Sequence, residues 1–580
     1  MAQNERRHTE RLIKVRATPL RYITTARNQT LSGLAALDTL SRVWPDIPRT
    51  QELGALDVFL SHLRAEAVPS PSSFRKWQLD ADFAHTSLGG VGQLWRLRTD
   101  PKVATYTRAL LDALPGIIKW SQYIYCLAQA PVHFHTLIIV FRTLCIVPDI
   151  LAAMVGAHDC VKLVTQLWIW EDHCQSMGHA IRATPAETLG IFLKSSTSSR
   201  KNDLRDRVIE ASGGDAEFLV QLILRRIKKA NKKLEIDAEV NVLVEHIGLL
   251  VGLCEQHPHS LRCALFNAGG LVTMTRTLAA LPDGVGRDVS KSSAVRLFAS
   301  CITFFLTFLE GDDYPSILLA VRAGFMDAFI EACPAFLHMG RDVTDMAMAI
   351  VRDKLPRYCV YRSFALQMMP FARKFKSSPD YEGLRKLPVI NAAFVPMSTA
   401  LAKRMSALEE EGLGRRCFNP QCQRVDIGKN FKQCGSCQVA YYCSLECQKA
   451  DWNYSHRQLC KNFSLWNQIW GSRIKHDLSS IRFFAEWTAK LNFETFRAIA
   501  QRDFSDTPRE QLFLYIDFTC VPETYSVQSM NNLTMDERMT GDALRSYCPE
   551  SSAILKYRIK NGAEVQDMWG CARRDNFWAD

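Results

Sequence analysis

The stretch "ALFNAGGLVTMTRTL", residues 264–278, joins two apolar segments through a turn of small residues. Similar joints recur when the sequence is aligned on Ala157, Ala211, Ala268 and Ala323, with spacings of 54, 57 and 55 residues. Each joint leads from one apolar helix end into a second apolar helix, and proteins that stack such units build a continuous core. The sequence therefore predicts a helical-repeat region. The other three joints read "AMVGAHDCVKLVTQLW", "VIEASGGDAEFLVQLIL" and "LAVRAGFMDAFIEA".

The turn in this stretch resembles the turn between the helices of an armadillo repeat. A period near 55 residues is longer than the usual period of that family, so the resemblance implies longer loops or an extra helix in each unit. An irregular helical domain is the alternative, because small residues are common at helix joints. Apolar residues at i, i+3, i+4 and i+7 predict amphipathic helices under either interpretation, as in "AEFLVQLILRRIKKA" and "EVNVLVEHIGLLVGLCEQH".

The C-terminal tail has a different pattern. Branched and aromatic residues are frequent in "LFLYIDFT" (512–519) and "ILKYRIKN" (554–561), which predicts two strands. In the second, Leu555, Tyr557 and Ile559 alternate with basic residues, which predicts a strand buried on one face only. Since "SSIRFFAEWTAKL" and "FETFRAIAQRDF" precede these strands with helical spacing, we expect a small α+β unit.

The composition is that of a folded protein with several modules. The chain has 580 residues, of which 47% are hydrophobic and 23% charged. Its polar start does not resemble a secretory signal or a mitochondrial presequence, so we expect an intracellular protein, cytoplasmic or nuclear. The most apolar stretch, 136–157, is interrupted by Arg142, Pro148 and Asp149, which favours buried helices over a membrane span.

The formal net charge of +11 is spread along the chain, with one concentration in "RRIKKANKK" (225–233). A solvated helix end or loop is the simpler interpretation of this segment. The alternative is contact with nucleic acid or an acidic partner through basic patches. No aromatic RNA-binding motif accompanies the segment, so nucleic acid remains a secondary hypothesis.

The nineteen cysteines fall into two groups. Twelve are scattered, mostly in apolar surroundings such as "YIYCLA" and "VGLCEQ", where a free thiol behaves as a small buried hydrophobe. The other seven lie between residues 417 and 460. In a reducing compartment, clustered cysteines are metal ligands more often than disulfides.

The clustered cysteines and one histidine form four close pairs, which is enough for two tetrahedral zinc sites. Spacing alone permits the pairs to combine sequentially, in nested fashion or interleaved. All four coordination positions of each ion would be filled by protein, so the zinc would be structural and unable to activate a water molecule. The candidate ligands are Cys417, Cys422, Cys434, Cys437, Cys443, Cys447, His456 and Cys460.

The string "YYCSLECQKADWNYSHRQLC", preceded by "CGSC", is similar to the MYND zinc finger, with the pattern C-x2-C, YC-x3-CQ-x2-DW and H-x3-C. The match includes the non-cysteine residues Tyr442, Gln448, Asp451 and Trp452. The first pair, "CFNPQC", departs from this family because its spacing is C-x4-C instead of C-x2-C. The resemblance implies interleaved pairing, with Cys417, Cys422, Cys443 and Cys447 on the first zinc and Cys434, Cys437, His456 and Cys460 on the second.

The same resemblance implies a role in protein–protein interaction. MYND fingers bind proteins, and several take short proline-containing peptides of the P-x-L-x-P kind beside their final helix. The residues of this chain that correspond to that groove are Gln448 and Trp452: a tryptophan face stacks on proline, and a glutamine amide bonds to an extended peptide backbone. A third contact, often a serine after the third cysteine, is Gly435 here.

We expect no enzymatic activity. MYND fingers also occur in SET-domain lysine methyltransferases, but the two motifs that surround the methyl donor in those enzymes are missing from this sequence. The strings G-x-x-x-x-G-K-[ST], G-x-S-x-G and H-E-x-x-H are missing as well. "VHFHT" predicts His133 and His135 on one face of a strand, and we interpret both as structural.

The function predicted is therefore that of a zinc-binding adaptor, with a helical-repeat region for a large partner and a finger for a peptide. Two alternatives stay open: a transcriptional or chromatin regulator that contacts nucleic acid, and a divergent SET/MYND-type lysine methyltransferase. The whole chain loosely resembles the MYND-domain-containing proteins that fungi encode in many copies.

The predicted fold class is mainly α, with an armadillo/HEAT-like region, a cross-braced two-zinc finger and a small α+β unit at the C-terminus. A helix is expected at 398–416, where Ala, Leu, Lys and Glu are frequent. The predicted domains are an N-terminal helical segment (1–95), a helical-repeat domain (96–375), a linker with a connecting helix (376–416), the zinc finger (417–460) and the C-terminal region (461–580).

Overall fold

The computed structural model divides the chain into two compact units, Met1–Ala268 and Gly269–Asp580. The residues that the structure describes are 2–69, 78–127, 131–172, 184–256, 259–284, 289–311, 314–338, 340–411, 415–419, 422, 424–426, 430–457, 460–461, 464, 475–535, 537–538, 541, 552–561 and 564–573.

The first unit is built from helices. They are α1 (Ala2–Ala17), α2 (Pro19–Ala26), α3 (Leu31–Val43), α4 (Pro48–Glu52), α5 (Ala55–Ser61), α6 (Gln78–Gly92), α7 (Thr107–Leu127), α8 (Pro131–Leu144), α9 (Pro148–Gly156), α10 (His158–Ile169), α11 (Pro185–Ser195), α12 (Ser198–Ala211), α13 (Ala216–Ala230), α14 (Asp237–Cys254) and α15 (Ser260–Asn267).

The second unit contains further helices and all of the described strands. The helices are α16 (Gly270–Gly284), α17 (Lys291–Gly311), α18 (Tyr314–Arg322), α19 (Phe325–His338), α20 (Arg341–Ala349), α21 (Arg362–Ser377), α22 (Glu382–Arg385), α23 (Pro388–Glu411), α24 (Leu445–Asp451), α25 (Lys475–Leu491) and α26 (Phe493–Asp503). The strands are β1 (Arg415–Arg416), β2 (Val425–Asp426), β3 (Lys432–Gln433), β4 (Tyr441–Tyr442), β5 (Leu512–Asp517), β6 (Thr524–Ser529), β7 (Ser552–Asn561) and β8 (Glu564–Arg573).

The predicted joints lie between consecutive helices. Ala157 separates α9 from α10, Ala211 ends α12 before α13, Ala268 separates α15 from α16, and Ala323 separates α18 from α19. Among the residues that the structure describes, one period therefore holds three helices, so the long period reflects an extra helix. The prediction of a mainly helical fold is confirmed. The successive triplets are α8–α10, α11–α13, α14–α16 and α17–α19.

Within the first unit, helices pack against helices that are near in sequence. The third helix of one triplet packs against the second helix of the next, as α10 does on α12 and α13 on α15. In α13, Asp215 accepts a hydrogen bond from the backbone N–H of Phe218 at 2.9 Å and caps the helix. Leu219 and Ile223, one turn apart on this helix, are fully buried.

Glycine explains the small-residue turns. Gly213 and Gly214, which follow α12, have φ values of 89° and 86°. Gly269 and Gly324, which follow the aligned alanines of the next two joints, have φ values of 72° and 90°. Side chains with a Cβ rarely adopt this left-handed conformation, so these turns favour glycine.

The basic segment 225–233 is partly structural. Arg226 is 4% exposed and lies 3.3 Å from Glu171 and 3.1 Å from Asp172. It also donates a hydrogen bond to the carbonyl of Trp168 at 2.8 Å. The interpretation of the segment as a solvated helix end is therefore wrong for Arg226, because this cation is buried and paired. The sequence "WEDHC" (170–174), which gathers ionisable groups, includes these two acids, and its His173 and Cys174 lie outside the described residues.

The two histidines of "VHFHT" lie in α8, so the strand predicted there is wrong. The apolar stretch 136–157 forms parts of α8 and α9, which meet at 118°. Among the described residues, one straight helix, Lys291–Leu309, passes a test of length and hydropathy for a membrane span. It is 56% buried inside the second unit, as expected for a core helix.

The scattered cysteines are mostly buried in the described part of the chain. Cys254 of "VGLCEQ", Cys160, Cys301, Cys333 and Cys359 are buried. Burial raises the pKa of Cys301 to about 12, so its thiol stays protonated. Cys126 of "YIYCLA" is exposed, in contrast to the expectation for that site.

The segment between α21 and α23 packs closely. The rings of Phe375 and Phe394 lie 4.5 Å apart, and the ring of Tyr381 lies 6.1 Å from Phe375. The sequence predicts a linker at 376–416 with its helix at 398–416, but α23 begins earlier, at Pro388, and ends at Glu411. Aromatic residues within the polar segment supply this packing.

The C-terminal sheet has the strand order β6-β5-β7-β8, in which β5 and β7 are parallel and the other pairs antiparallel. The two predicted strands are present as β5 and β7, so the prediction of a small α+β unit is confirmed. The sequence predicts that the basic residues of β7 lie on an exposed face. This prediction is wrong for Lys556, which is 6% exposed. Its ammonium group lies 2.7 Å from Glu537 and 3.2 Å from Asp567 of β8, and 5.3 Å from the ring centre of Trp569.

Candidate metal centre

A short hairpin positions the first cysteine pair. β1 pairs with β2, and the N–H of Cys417, which follows β1, donates to the carbonyl of Arg424 at 2.8 Å. The N–H of Cys422 donates to the carbonyl of Asn419 at 3.0 Å, which closes a turn inside the C-x4-C segment. This turn brings the two sulfurs to one side despite the longer spacing.

A second hairpin positions the next pair. β3 pairs with β4, and the N–H of Cys434 donates to the carbonyl of Ala440 at 2.9 Å. Gln438 has φ of 55°, which turns the chain back sharply. The N–H of Val439 consequently lies 3.5 Å from the sulfur of Cys437 and donates to it. Such a donor stabilises negative charge on the sulfur.

One helical segment positions the remaining ligands. Ser444 caps α24 by accepting a hydrogen bond from the N–H of Cys447 at 3.2 Å, which places Cys443 and Cys447 at the helix start. A π-helical turn, Trp452–His456, continues α24. Such wide turns often occur at functional sites, and this one precedes Cys460.

The eight side chains converge into two groups, in which all ligand atoms lie within 4.8 Å of one another. Within the described residues, these are the two groups with metal-site geometry. The first group joins the first and third pairs, and the second group joins the second and fourth pairs, so the pairs are interleaved. The groups are Cys417, Cys422, Cys443 and Cys447, and Cys434, Cys437, His456 and Cys460.

The distances fit tetrahedral zinc. Zinc–sulfur bonds of about 2.3 Å place two sulfurs of a tetrahedron about 3.8 Å apart. The sulfurs of Cys422 and Cys443 are 3.4 Å apart, and those of Cys434 and Cys460 are 3.8 Å apart. The sulfur of Cys437 lies 3.6 Å from Nε2 of His456, which identifies this nitrogen as the ligand atom. Both donor sets fit structural zinc ions.

Because of burial, cysteine thiols in each of the two clusters ionise near neutral pH only when a cation is bound. Burial raises the pKa of Cys437 to about 12 and the pKa of Cys443 to about 11. Burial also lowers the pKa of His456, so the imidazole is neutral and able to ligate. Zinc binds thiolates, so its binding releases protons that these cysteines otherwise hold near neutral pH.

Residues of the finger motif that do not ligate zinc hold the segment together. The buried hydroxyl of Tyr442 donates to the buried carboxylate of Asp451 at 2.6 Å, which ties β4 to the end of α24. The guanidinium of Arg482, on α25, lies 4.8 Å from the ring centre of Phe418. This cation–π contact anchors the first hairpin to the rest of the second unit.

The two residues predicted to bind peptide lie on the outer side of the same helical segment. Trp452 is 38% exposed, and its ring lies 5.8 Å from the ring of His456. Gln448 is half-buried. Leu445, which the sequence analysis did not single out, is 46% exposed. With spacings of three and four residues, these three side chains share one face.

A comparison with protein-family models places this segment in a known class. The model described as the MYND finger matches residues 417–460. These residues form a MYND finger, a zinc-binding module that generally mediates protein–protein interaction. No curated protein and no solved structure matches the chain.

Two features of the finger were missed by sequence reasoning. Phe418 and Arg482 are 64 positions apart, so nothing local indicates their contact. Leu445 has the spacing of a shared face with Gln448 and Trp452, and this spacing was the available signal.

Proposed function

We propose that this protein is an interaction adaptor whose MYND finger binds a short proline-containing peptide on the face formed by Leu445, Gln448 and Trp452. The observation that carries the proposal is the exposure of two large apolar side chains, Leu445 and Trp452, on the helix that holds zinc ligands. Large exposed apolar side chains that share one face are typical of binding surfaces.

Each residue of this face has a chemical role in the proposal. The indole of Trp452 offers a flat ring for stacking on a proline ring, and its contact with His456 fixes the ring orientation. The amide of Gln448 supplies a donor and an acceptor for an extended peptide backbone, which has no internal hydrogen bonds. Leu445 adds apolar area at the helix start.

We further propose that the finger has no catalytic role. Each cluster offers four protein ligands, which leaves no open coordination position for a substrate or water. The methyltransferase alternative predicts saturable binding of a methyl donor to the full-length chain, and the adaptor predicts no such binding.

The helical triplets form part of the proposal as the docking region for a large partner, a role that stacked helices suit. The nucleic-acid alternative depends on the basic segment 225–233. The pairing of Arg226 with Glu171 and Asp172 removes one cation of that segment from the available surface. Salt-dependent DNA binding by the full-length protein would favour the alternative.

The proposal is tested by peptide binding to the zinc-loaded protein. A set of fluorescent P-x-L-x-P peptides is titrated against the native chain, Trp452→Ala and the matched control Asn453→Ala, an exposed neighbour on another side of the helix. We expect Trp452→Ala to weaken binding at least about tenfold, as expected for an aromatic anchor, while Asn453→Ala binds like the native chain. Both variants should retain the native zinc content. Equal binding by all three proteins would contradict the peptide face.

A further inference from the structure

A second candidate binding site lies in the second unit, and none of its lining residues is a ligand of the finger. A cavity of about 420 Å³ opens between the 3₁₀ turn Leu355–Tyr358, helix α23, helix α25 and the connection between β5 and β6. We name it the C-terminal cavity. Its volume is in the lower part of the range of small-molecule sites, about 300–1,000 Å³.

The walls of the C-terminal cavity are mainly apolar. Phe484 and Phe518 stack with ring centres 5.4 Å apart and form an aromatic wall. Val395 and Pro396 of α23 and Val360 add aliphatic surface. A hydrocarbon or aromatic group would be removed from water by these walls, and this burial favours binding.

Two of the charged groups in the cavity already pair with each other. The ammonium of Lys403 forms an ion pair with Glu523 and donates to the hydroxyl of Tyr525 at 2.8 Å. The same hydroxyl lies 2.7 Å from the carboxylate of Glu523. The pair therefore contributes no net charge to the cavity.

The third charged group is a cation with an unused donor. Arg357 lines the cavity, and its Nε is buried without a hydrogen-bond partner among the described residues. Its guanidinium is a fixed positive charge with several N–H donors, which suits an anionic group. Two more cations, Lys354 and Lys560, lie near this guanidinium. Burial lowers the pKa of each lysine, and the charge of Arg357 lowers it further.

We propose that the C-terminal cavity binds a small apolar carboxylic acid, with the carboxylate on Arg357 and the hydrocarbon against Phe484 and Phe518. The guanidinium fork matches a carboxylate in shape, and the lining residues carry one net positive charge, with Lys354 and Lys560 outside the lining, which suits an anion. The small volume limits the ligand to a short or medium chain. This site is independent of the peptide face on the finger.

The proposal is tested by calorimetry on the full-length, zinc-loaded protein with three probes. Decanoate presents both the chain and the carboxylate, 1-decanol presents the chain alone, and inorganic phosphate presents an anion alone. We expect decanoate to bind at least about tenfold more tightly than decanol, the effect of one charge-assisted hydrogen bond. Phosphate should neither bind nor displace decanoate.

Variants separate the two parts of the site. Arg357→Gln should weaken decanoate binding at least about tenfold and leave decanol unchanged. Arg352→Gln is the matched control, because Arg352 is exposed nearby and pairs with Asp353 at 2.8 Å. Thr399→Trp, an exposed lining position, should fill the cavity and abolish binding of both decanoate and decanol, with native circular dichroism and zinc content as checks of folding.

Four results would overturn the proposal. These are no decanoate binding, equal affinity for decanoate and decanol, unchanged decanoate binding in Arg357→Gln, or displacement of decanoate by phosphate. The last result would assign the site to an anion without an apolar group.

Discussion

Trp452 connects the metal to the proposed peptide face. Its ring contacts His456, a ligand of the second cluster, while 38% of the residue is exposed to solvent. His456 is fully buried between the rings of Phe418, Tyr442 and Trp452. Zinc binding therefore fixes the imidazole, and the imidazole fixes one side of the indole.

Gly435 offers a test of the peptide face by gain of function. MYND fingers that bind peptides often have serine here, and the structure has no atom within 4 Å of a Cβ at this position. We expect Gly435→Ser to fold normally and to bind P-x-L-x-P peptides about three- to tenfold more tightly, the effect of one added hydrogen bond. Fluorescence titration measures this change, and equal or weaker binding would count against a contact at residue 435.

The half-buried carboxyl group of Glu245 predicts a pH-dependent stability of the first unit. Burial, with the nearby charge of Glu187, raises the pKa of Glu245 to about 8, although Thr184 donates a hydrogen bond to it. The unfolded carboxyl loses its proton near pH 4.5. The stabilisation is complete below that pH and is lost as the pH rises toward 8.

The variant Glu245→Gln should remove this dependence. Between pH 6.5 and 7.5 we expect the native chain to lose up to about 1.4 kcal/mol of unfolding free energy per pH unit more than the variant. Burial lowers the pKa of His246 to about 4, so this histidine is neutral in the window and does not oppose the trend. Urea unfolding at each pH gives the comparison, with the exposed Glu217→Gln as control. Parallel pH profiles for the native chain and Glu245→Gln would contradict the assignment.

At the scale of elements, the triplets show what the sequence could predict. Apolar stripes and small-residue joints are local signals, and they located the helix pairs on either side of each aligned alanine. The extra helix of each period was indicated only by the period length, although α11 carries a local start signal: Pro185 is its first residue, and Thr184 accepts a hydrogen bond from the N–H of Glu187. The zinc ligands of the finger could also be predicted from local sequence, because ligand type and spacing define zinc sites.

Features that depend on distant residues could not be predicted. The burial of Lys556 on β7 depends on Glu537 and on Asp567 of β8, which no pattern within "ILKYRIKN" reveals. Arg226 looks like surface charge in sequence, and its burial depends on acids more than 50 positions away. The pairing of Lys403 with Glu523 joins residues 120 positions apart.

Gly214, in the turn between α12 and α13, provides a test of the role of glycine in the helix joints. Gly214 has φ of 86° and its N–H donates to the carbonyl of Ile209 at 2.9 Å, which closes the end of α12. Gly214→Ala should cost about 1–2 kcal/mol of unfolding free energy, because an alanine is strained in this conformation. Gly248→Ala, inside α14 with open space around the Cβ, should instead stabilise by up to about 1 kcal/mol. Denaturant titration measures the free energy of unfolding of both variants. Equal effects of the two substitutions would contradict the role of the turn.

At the scale of the whole molecule, the finger is an integral part of the second unit. Phe418 of the finger contacts Arg482 of α25, and Arg482 pairs with Glu486 of the same helix at 3.0 Å. Burial alone would lower the pKa of Arg482, but the charges of Glu486, Tyr557 and Asp451, the partner of Tyr442, raise it. The zinc-held segment is thus attached to the helix that packs on the C-terminal sheet.

The interleaved zinc sites are the central claim, and zinc counting in two double variants tests it most directly. Cys422→Ser with Cys443→Ser removes two ligands from one cluster, whereas Cys422→Ser with Cys437→Ser removes one ligand from each. In native mass spectrometry under chelator competition, we expect the first variant to keep one tightly bound zinc ion and the second to lose both. Retention of one ion by the second variant and loss of both by the first would contradict the interleaved arrangement.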